Sequence, residues 1–334
     1  MQPWPTLSVA PMLDWTDRHC RFLHRLFGAH TQLTTEMVHG NAIVKGDRAR
    51  HLAFSPEEHP VALQLGGNEP ELLAEATRIG AGYGYDEINL NVGCPSDRVQ
   101  AGAFGACLMA EPDTVARCVA AMARATDRPV TVKCRLGITR PARGDAPALD
   151  LDTDEHLHRF IGALVDAGVA GVIVHARKAI LGGLSPKENR TVPPLQYERV
   201  FALKQAFPTL PISLNGGLTS LADVQAVLPH CDGVMIGRAA YHDPCVLGTL
   251  HEALLTPETP APSLAAVLEA YGAYAEAQFG DGVPLGTLTR PLLGLVQGRP
   301  GARRFRRLLS EGARQDGAKP ALLTEALSLL KDAA

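Results

Sequence analysis

The stretch Asn89-Leu90-Asn91-Val92-Gly93-Cys94-Pro95-Ser96-Asp97-Arg98 carries an alternation of apolar and polar residues straight into a glycine, a cysteine and a proline. Ile88, Leu90 and Val92 share one face of a strand; Glu87, Asn89 and Asn91 share the other. Pro95 cannot extend a ladder, so Cys94 is expected where the strand opens into a loop. Most free cysteines are small core hydrophobes, but polar flanks of this kind do not describe a core. Four polar residues, Gln64, Asn91, Lys133 and His175, stand near the ends of apolar runs on matching parity, while Val132 and Val174 point the other way. They are expected to line one pocket. Taken singly, Lys133 could be an internal ion-pair partner of Glu87, and His175 a satisfied core histidine. Their convergence favours a shared site.

Positioning such residues requires a regular scaffold. Short apolar or β-branched runs recur at Leu7–Ala10, Gln32–Met37, Val61–Leu65, Asp86–Val92, Val130–Cys134, Gly171–His175, Pro211–Asn215 and Gly233–Ile236. Amphipathic stretches of helical period lie between them, for example Pro70–Ile79, Pro112–Ala125, His156–Ala167, Leu195–Ala206 and Leu221–Leu228. Strand and helix alternating eight times is the pattern of a (β/α)8 TIM barrel rather than of a doubly wound sheet. After Pro244 the strand signal stops. Thr256–Pro262 is a proline-rich connector, followed by helical periods at Leu264–Phe279, Leu285–Gln297, Pro300–Ala313 and Ala321–Lys331. The expected division is a barrel domain over residues 1–250 and a small all-α domain over 251–334. The loop Arg140–Thr153, rich in Pro, Gly and Asp, is expected to be disordered.

In a barrel of this kind the active site lies at the C-terminal strand ends, with a phosphate site after strands seven and eight. Asn215-Gly216-Gly217 follows the seventh run and Gly237-Arg238 the eighth, offering bare backbone N–H groups and a guanidinium. This predicts a phosphate pocket. A phosphate-bearing cofactor over the mouth, with Lys133 and His175 beside a ring that becomes anionic on reduction, describes flavin mononucleotide, FMN. Gly80-Ala81-Gly82-Tyr83-Gly84 precedes a strand, so it is no Rossmann fingerprint.

Composition sets the outer limits. The chain has 334 residues, a net charge of −3 and 46% hydrophobic residues, which suits a large soluble core. A nucleic-acid partner would have to be met by a local patch. Seven scattered cysteines form no disulfide framework and no zinc spacing, so a reducing cytoplasm is expected. No signal peptide or membrane-length apolar run stands out, and nothing calls for a membrane, a metal or an obligate protein partner. The basic patch is Gly301-Ala302-Arg303-Arg304-Phe305-Arg306-Arg307-Leu308-Leu309. Helical spacing there sets Ala302, Phe305, Leu308 and Leu309 against Arg303, Arg306 and Arg307, with Arg304 flanking. One face packs and the other can meet phosphate.

Several segments together resemble the tRNA-dihydrouridine synthases nearly end to end. They are Ala10–Asp17, Glu36-Met37, Gln64–Gly67, Asn89–Asp97, Val132-Lys133, His175–Lys178, Leu184–Arg190 and Asn215–Gly217. Leu184–Arg190 and Gly301–Ser310 look like the A subfamily, which acts on uridines U20 and U20a of the tRNA D-loop. The long Arg140–Thr153 loop departs from the pattern.

The resemblance implies reduction of the uridine 5,6 double bond, with NADPH reducing FMN, flavin hydride passing to C6 and Cys94 protonating C5. An ordinary thiol is mostly protonated at neutral pH, so an acid of this kind needs no strong activation. By the same matching, Pro11, Met12, Leu13, Gln64, Lys133 and His175 hold the isoalloxazine and ribityl parts, and Asn215, Gly216, Gly217, Gly237 and Arg238 the phosphate end. Asn91 would contact the target uridine, while Lys187 with Arg190 and Arg303 with Arg306 would bind tRNA. The uridine has to leave its stack to reach the mouth, where Trp15 or Tyr197 could stack on it. Three other readings stay open: a flavin reductase of a free pyrimidine, a cofactor-free aldolase or isomerase with Lys133 as a Schiff-base amine, and a non-catalytic RNA-binding barrel.

Overall fold

A computed structural model describes residues 4–142 and 147–331. Strands β1 (Leu7–Val9), β2 (Leu33–Thr34), β3 (Val61–Gly66), β4 (Glu87–Val92), β5 (Val130–Arg135), β6 (Gly171–His175), β7 (Ile212–Asn215) and β8 (Gly233–Ile236) run parallel. From β2 onward each pairs with the next, and β8 returns to β1. Two backbone hydrogen bonds close the ring at β1 and the start of β2: Val9 N–H to Gln32 O at 2.9 Å and Gln32 N–H to Leu7 O at 3.0 Å. The protein is a (β/α)8 barrel, as expected from the alternation.

The outer helices are α1 (Arg18–Phe27), α2 (Gly40–Lys45), α3 (Pro70–Gly82), α4 (Pro112–Arg124), α5 (Asp154–Asp166), α6 (Tyr197–Ala206), α7 (Leu221–Val227) and α8 (Cys245–Leu254). Their starts are written locally. The Asp17 carboxylate accepts from Cys20 N–H at 2.9 Å to begin α1, Thr153 caps α5, Ser220 and Asp223 form a capping box on α7, and proline opens α3 and α4.

Side-chain parity divides the barrel into two chemistries. Outward residues such as Leu63, Ile88, Leu90, Val132, Val174 and Leu214 are fully buried beneath the helices, where the main hydrophobic core lies. The ring interior is different. Its apolar packing is a small cluster of Ala10, Ile173 and Met235, with Trp4 against it. The rest of the lumen is polar: Ser8, Thr34, Gln64, Glu87, Asn89, Asn91, Thr131, Arg135, Ser213 and Asn215 are all buried. Branched apolar layers usually fill such a barrel, so this lumen is organised by hydrogen bonds.

Five expectations change in detail. The run Gln32–Met37 is not one strand: β2 stops at Thr34 and pairing to β3 resumes at Val38–His39. Thr35 Oγ1 takes the Gln64 N–H at 3.0 Å, replacing a ladder partner and breaking the strand. The Arg140–Thr153 loop is anchored at both ends. Ile138–Arg140 pairs antiparallel with Leu149–Asp150 and parallel with Ala179–Ile180, and Asp152 meets Lys178 and Arg199 at 3.1 and 2.6 Å. Its centre, 143–146, where disorder was also expected, lies outside the described residues. The helix expected over Leu285–Gln297 is α-helical only to Thr289, because Pro291 lacks the donor to continue it. Likewise the helix expected over Pro300–Ala313 is α-helical at Ala302–Arg307 and continues as a π turn over Leu308–Gly312. Finally, α8 crosses residue 250, and helix α9 (Leu264–Gly280) follows it; we propose the connector Leu255–Ser263 as the division between the two parts.

Candidate active site

The C-terminal ends of β3 to β8 converge on one mouth, and the turn after β4 is its most heavily tied part. Asn91 Oδ1 accepts from the N–H groups of Gly93 and Cys94 at 3.1 and 3.0 Å. From the other side, Arg135 Nε donates to Gly93 O at 3.1 Å. The Cys94 thiol emerges half-buried, 3.6 Å from Ser96 Oγ, and Ser96 also caps the short helix Asp97–Ala101. It is therefore a held, reachable thiol and not a core filler.

Across the mouth, Lys133 Nζ donates to Asn215 Oδ1 at 3.0 Å, and Asn215 Nδ2 donates to Met235 O at 2.6 Å. Lys133 does not pair with Glu87, whose carboxylate is taken by Thr131. Burial, reinforced by Arg135, lowers the Lys133 ammonium to about 8, so it stays mainly charged at neutral pH. His175 is pushed well below the usual histidine range, first by burial and then by Arg135, Lys133, Arg177 and Arg238. It is neutral, and its buried Nδ1 has no protein partner.

The loops after β7 and β8 complete the wall. Gly216 and Gly217 have φ of +114° and +76°. A Cβ at Gly217 would sit 2.5 Å from Leu195 Cδ1 and 2.8 Å from Tyr197 Oη, and one at Gly216 would come within 3.3 Å of His175 Nε2. Tyr197 Oη fixes the turn by donating to Gly216 O at 2.7 Å. A Cβ at Gly237 would meet Ala10 Cβ at 3.6 Å and Met12 Sδ at 3.9 Å, which brings the Pro11–Leu13 segment to the same mouth. Thr16 Oγ1 holds that segment by accepting from Met12 N–H at 2.9 Å, leaving Leu13 63% exposed. Lys133 and Arg135 thus stand within electrostatic reach of both an unpartnered neutral imidazole and a thiol, an arrangement suited to an anionic ligand lying beside a proton donor.

The family described as dihydrouridine synthase (Dus) matches residues 8–331. The chain belongs to the dihydrouridine synthase family. Among similar proteins, the tRNA-dihydrouridine(20/20a) synthase of Xanthomonas axonopodis pv. citri is 57% identical over 323 residues, covering 96% of this chain and 92% of that protein. The protein of the same name from Yersinia pestis is 50% identical over 98% of this chain and 92% of its own length. That from Synechocystis sp. is 51% identical over 97% and 94%. A solved structure of 2-naphthoyl-CoA reductase in complex with 2-naphthoyl-CoA shares the fold, with a TM-score of 0.51 at 12% identity, over 74% of this chain and 50% of that one.

In this member of the family the residues singled out from the sequence divide into three groups. Cys94, Lys133, His175, Asn215, Gly216, Gly217, Gly237, Arg238 and the Pro11–Leu13 segment meet at the mouth, as described. Gln64 and Asn91, 1% and 8% exposed, lie just beneath it with amide atoms bonded to each other. Because Asn91 Oδ1 is occupied by the Cys94 turn, a substrate would find only its remaining N–H.

The barrel pair separates: Lys187 is exposed, whereas Arg190 is half-buried at the mouth, within electrostatic reach of Cys94 and Arg238, whose Nη2 donates to Arg190 O at 3.2 Å. Arg303 and Arg306 are exposed on the C-terminal helix, over buried Ala302, Phe305 and Leu309. Arg304 is exposed as well, and Arg307 pairs with Glu311 at 3.0 Å. Trp15 already stacks on Tyr241, centroids 4.4 Å apart.

Arg135 is the functional residue that strand parity offered and motif reading passed over, since it follows Lys133 by two on the same face. Besides Gly93 O, it donates to Lys178 O and Asn189 O at 3.1 and 2.8 Å, which ties the Leu184–Arg190 segment to the cysteine turn. Among the described residues no helix is long and apolar enough to cross a membrane, and no cluster of His, Cys, Asp and Glu could hold a metal.

Proposed function

We propose that this protein reduces the 5,6 double bond of uridines in the tRNA D-loop, at U20 and U20a, to dihydrouridine, using FMN and NADPH. The observation that carries the reading is the Cys94 thiol on its tied turn, within electrostatic reach of Lys133, Arg135 and Arg190, in a chain of this family. The names of the similar proteins support the tRNA substrate and its positions.

The residues present fit FMN. Leu195, Tyr197 and His175 leave room for no side chain at the Gly216-Gly217 turn, Gly237 presents bare backbone beside Ala10 and Met12, and Arg238 adds a cation, which suits a phosphate. The orphaned Nδ1 of neutral His175 suits a polar atom of a buried ligand. Lys133 and the Pro11–Leu13 segment would hold the ring system. When bound and reduced by hydride from NADPH, FMN would supply hydride to uridine C6 and return to its oxidised form.

The protein's own part begins with position. Lys133, held by Asn215, keeps a cation where negative charge develops. Cys94, on a turn gripped by Asn91 and Arg135, donates its proton to C5, and Ser96 Oγ lies close enough to orient the thiol. Arg190 at the mouth and the exposed Lys187, Arg303 and Arg306 meet tRNA phosphates around the extruded base.

The test is mass mapping of dihydrouridine in unmodified tRNA incubated with the FMN-loaded protein and NADPH. Product is expected in the D-loop, and Cys94→Ala should lower turnover by about 10²- to 10⁴-fold while retaining flavin. Colourless protein that takes up no FMN, product outside the D-loop, or full turnover by Cys94→Ala would each overturn the reading. Equal reduction of free uridine would favour the free-pyrimidine alternative.

A further inference from the structure

Beneath the mouth, five buried polar side chains form a column, of which the reaction above uses only the top, where Asn91 grips the Cys94 turn. It starts at the Cys94 turn, where the N–H groups of Gly93 and Cys94 both point at Asn91 Oδ1. An amide that accepts on oxygen has its nitrogen left to donate, and Asn91 Nδ2 donates to Gln64 Oε1 at 2.8 Å. Gln64 Nε2 then donates to Asn89 Oδ1 at 2.8 Å, and Asn89 Nδ2 to Thr131 Oγ1 at 2.7 Å. Thr131, with its oxygen occupied, donates its proton to Glu87 Oε1. Each orientation dictates the next, so all the donors point one way, from the mouth to the bottom of the barrel. Such a chain must end on a group with an acceptor to spare, and the Glu87 side-chain oxygen supplies it.

Register makes the column possible. Glu87, Asn89 and Asn91 are spaced by two on β4, Gln64 lies opposite Asn89 on β3, and Thr131 lies opposite Asn89 on β5. All five are at most 8% exposed. Buried amides without partners are costly, whereas a fully satisfied chain is rigid and polarises along its length.

We propose that Glu87 is a positioning residue for Cys94, the terminal acceptor of a one-way hydrogen-bond column that sets the turn carrying the thiol. The idea rests on the reading of Cys94 as proton donor only for its effect on turnover. Burial raises the Glu87 carboxyl to about 7, and either protonation state leaves an oxygen for Thr131. A glutamine there keeps an acceptor as well.

The experiment uses Thr131→Val, which removes the linking hydroxyl at nearly constant shape, with Glu87→Met and Glu87→Gln. Cys94 alkylation by iodoacetamide, read by peptide mass on the folded protein, should quicken at least threefold in Thr131→Val and Glu87→Met. Their turnover should fall at least tenfold with KM for tRNA within twofold. Glu87→Gln should recover most of both. Thr131→Val and Glu87→Met that alkylate and turn over within twofold of the unmodified protein would refute the column. Should those variants not fold, amide exchange in the unmodified protein decides: protection of Gly93 and Cys94 N–H is required, and exchange at the rate of an open chain rejects it. If alkylation follows the column but the unmodified protein makes no dihydrouridine, the proposed reaction falls and the column stands.

Discussion

Lys133 holds its charge against its surroundings, and the sign of that effect is measurable. Burial lowers its folded pKa to about 8 from the ordinary 10.5. Below pH 8 both the folded and the unfolded chain carry the charge, and only the folded one has it buried, at a cost of up to about 3 kcal/mol. Between pH 8 and 10.5 the folded protein has released a proton that the unfolded chain keeps, so stability from this group rises with pH. Lys133→Met in the flavin-free protein is therefore expected to be more stable at pH 7, less what the lost Asn215 hydrogen bond contributes, about 1 kcal/mol. Urea melts at pH 7 and pH 10 check this, and a gap that did not narrow at the higher pH would contradict it. The same variant should bind FMN poorly, which separates what the fold would prefer from what the mouth requires.

At the scale of elements, the turn after β7 is the sharpest test of the cradle. Gly217→Ala places a methyl group 2.5 Å from Leu195 Cδ1 at a φ of +76°. It should cost about 1–3 kcal/mol and weaken FMN binding at least tenfold in a fluorescence titration, whereas Gly162→Ala, inside α5 with nothing within 4 Å of its Cβ, should leave FMN binding unchanged and stabilise the fold by about 0.5–1 kcal/mol. The strands that carry the site were legible as short apolar or β-branched runs, most of them ending at a glycine or a polar residue and each followed by a helical stretch. Parity alone separated Lys133 from Val132 and His175 from Val174. What stayed hidden depended on partners far along the chain. Nothing local to Thr35 says that its hydroxyl will take the Gln64 N–H and split a strand, and nothing near Glu87 says that Thr131 will claim it in place of Lys133. The pair Lys187 and Arg190 looked alike in sequence, yet one is exposed and the other turns into the mouth because Arg135 and Asn189 anchor the segment between the strands.

Across the whole molecule, the helical region sits on α1, the helix that directly follows the Pro11–Thr16 turn. Phe22 stacks on Tyr274 with centroids 3.8 Å apart, the Tyr274 hydroxyl lies 2.8 Å from His19 Nδ1, and Arg290 meets Asp17 at 2.5 Å. Deleting everything beyond the connector would strip this face, so charge substitutions are the cleaner test of tRNA binding. Arg303→Ala with Arg306→Ala should leave the melting temperature unchanged and weaken tRNA binding. The slope of log K against log salt should become shallower by about one to two. An unchanged slope would remove that helix from the tRNA interface. The polar lumen carries a different consequence, for how this sequence tolerates change. Facing the helices, substitution between apolar residues of similar volume costs little, because that layer asks mainly for size. Facing the lumen, a hydroxyl or amide has neighbours that depend on which of its atoms is the donor, so even a close relative in size is wrong. In a randomised library, permissive and intolerant positions should alternate every second residue along β4 and β5, and variants that raise stability should come from the outward positions. In this barrel, room for improvement lies outside the ring.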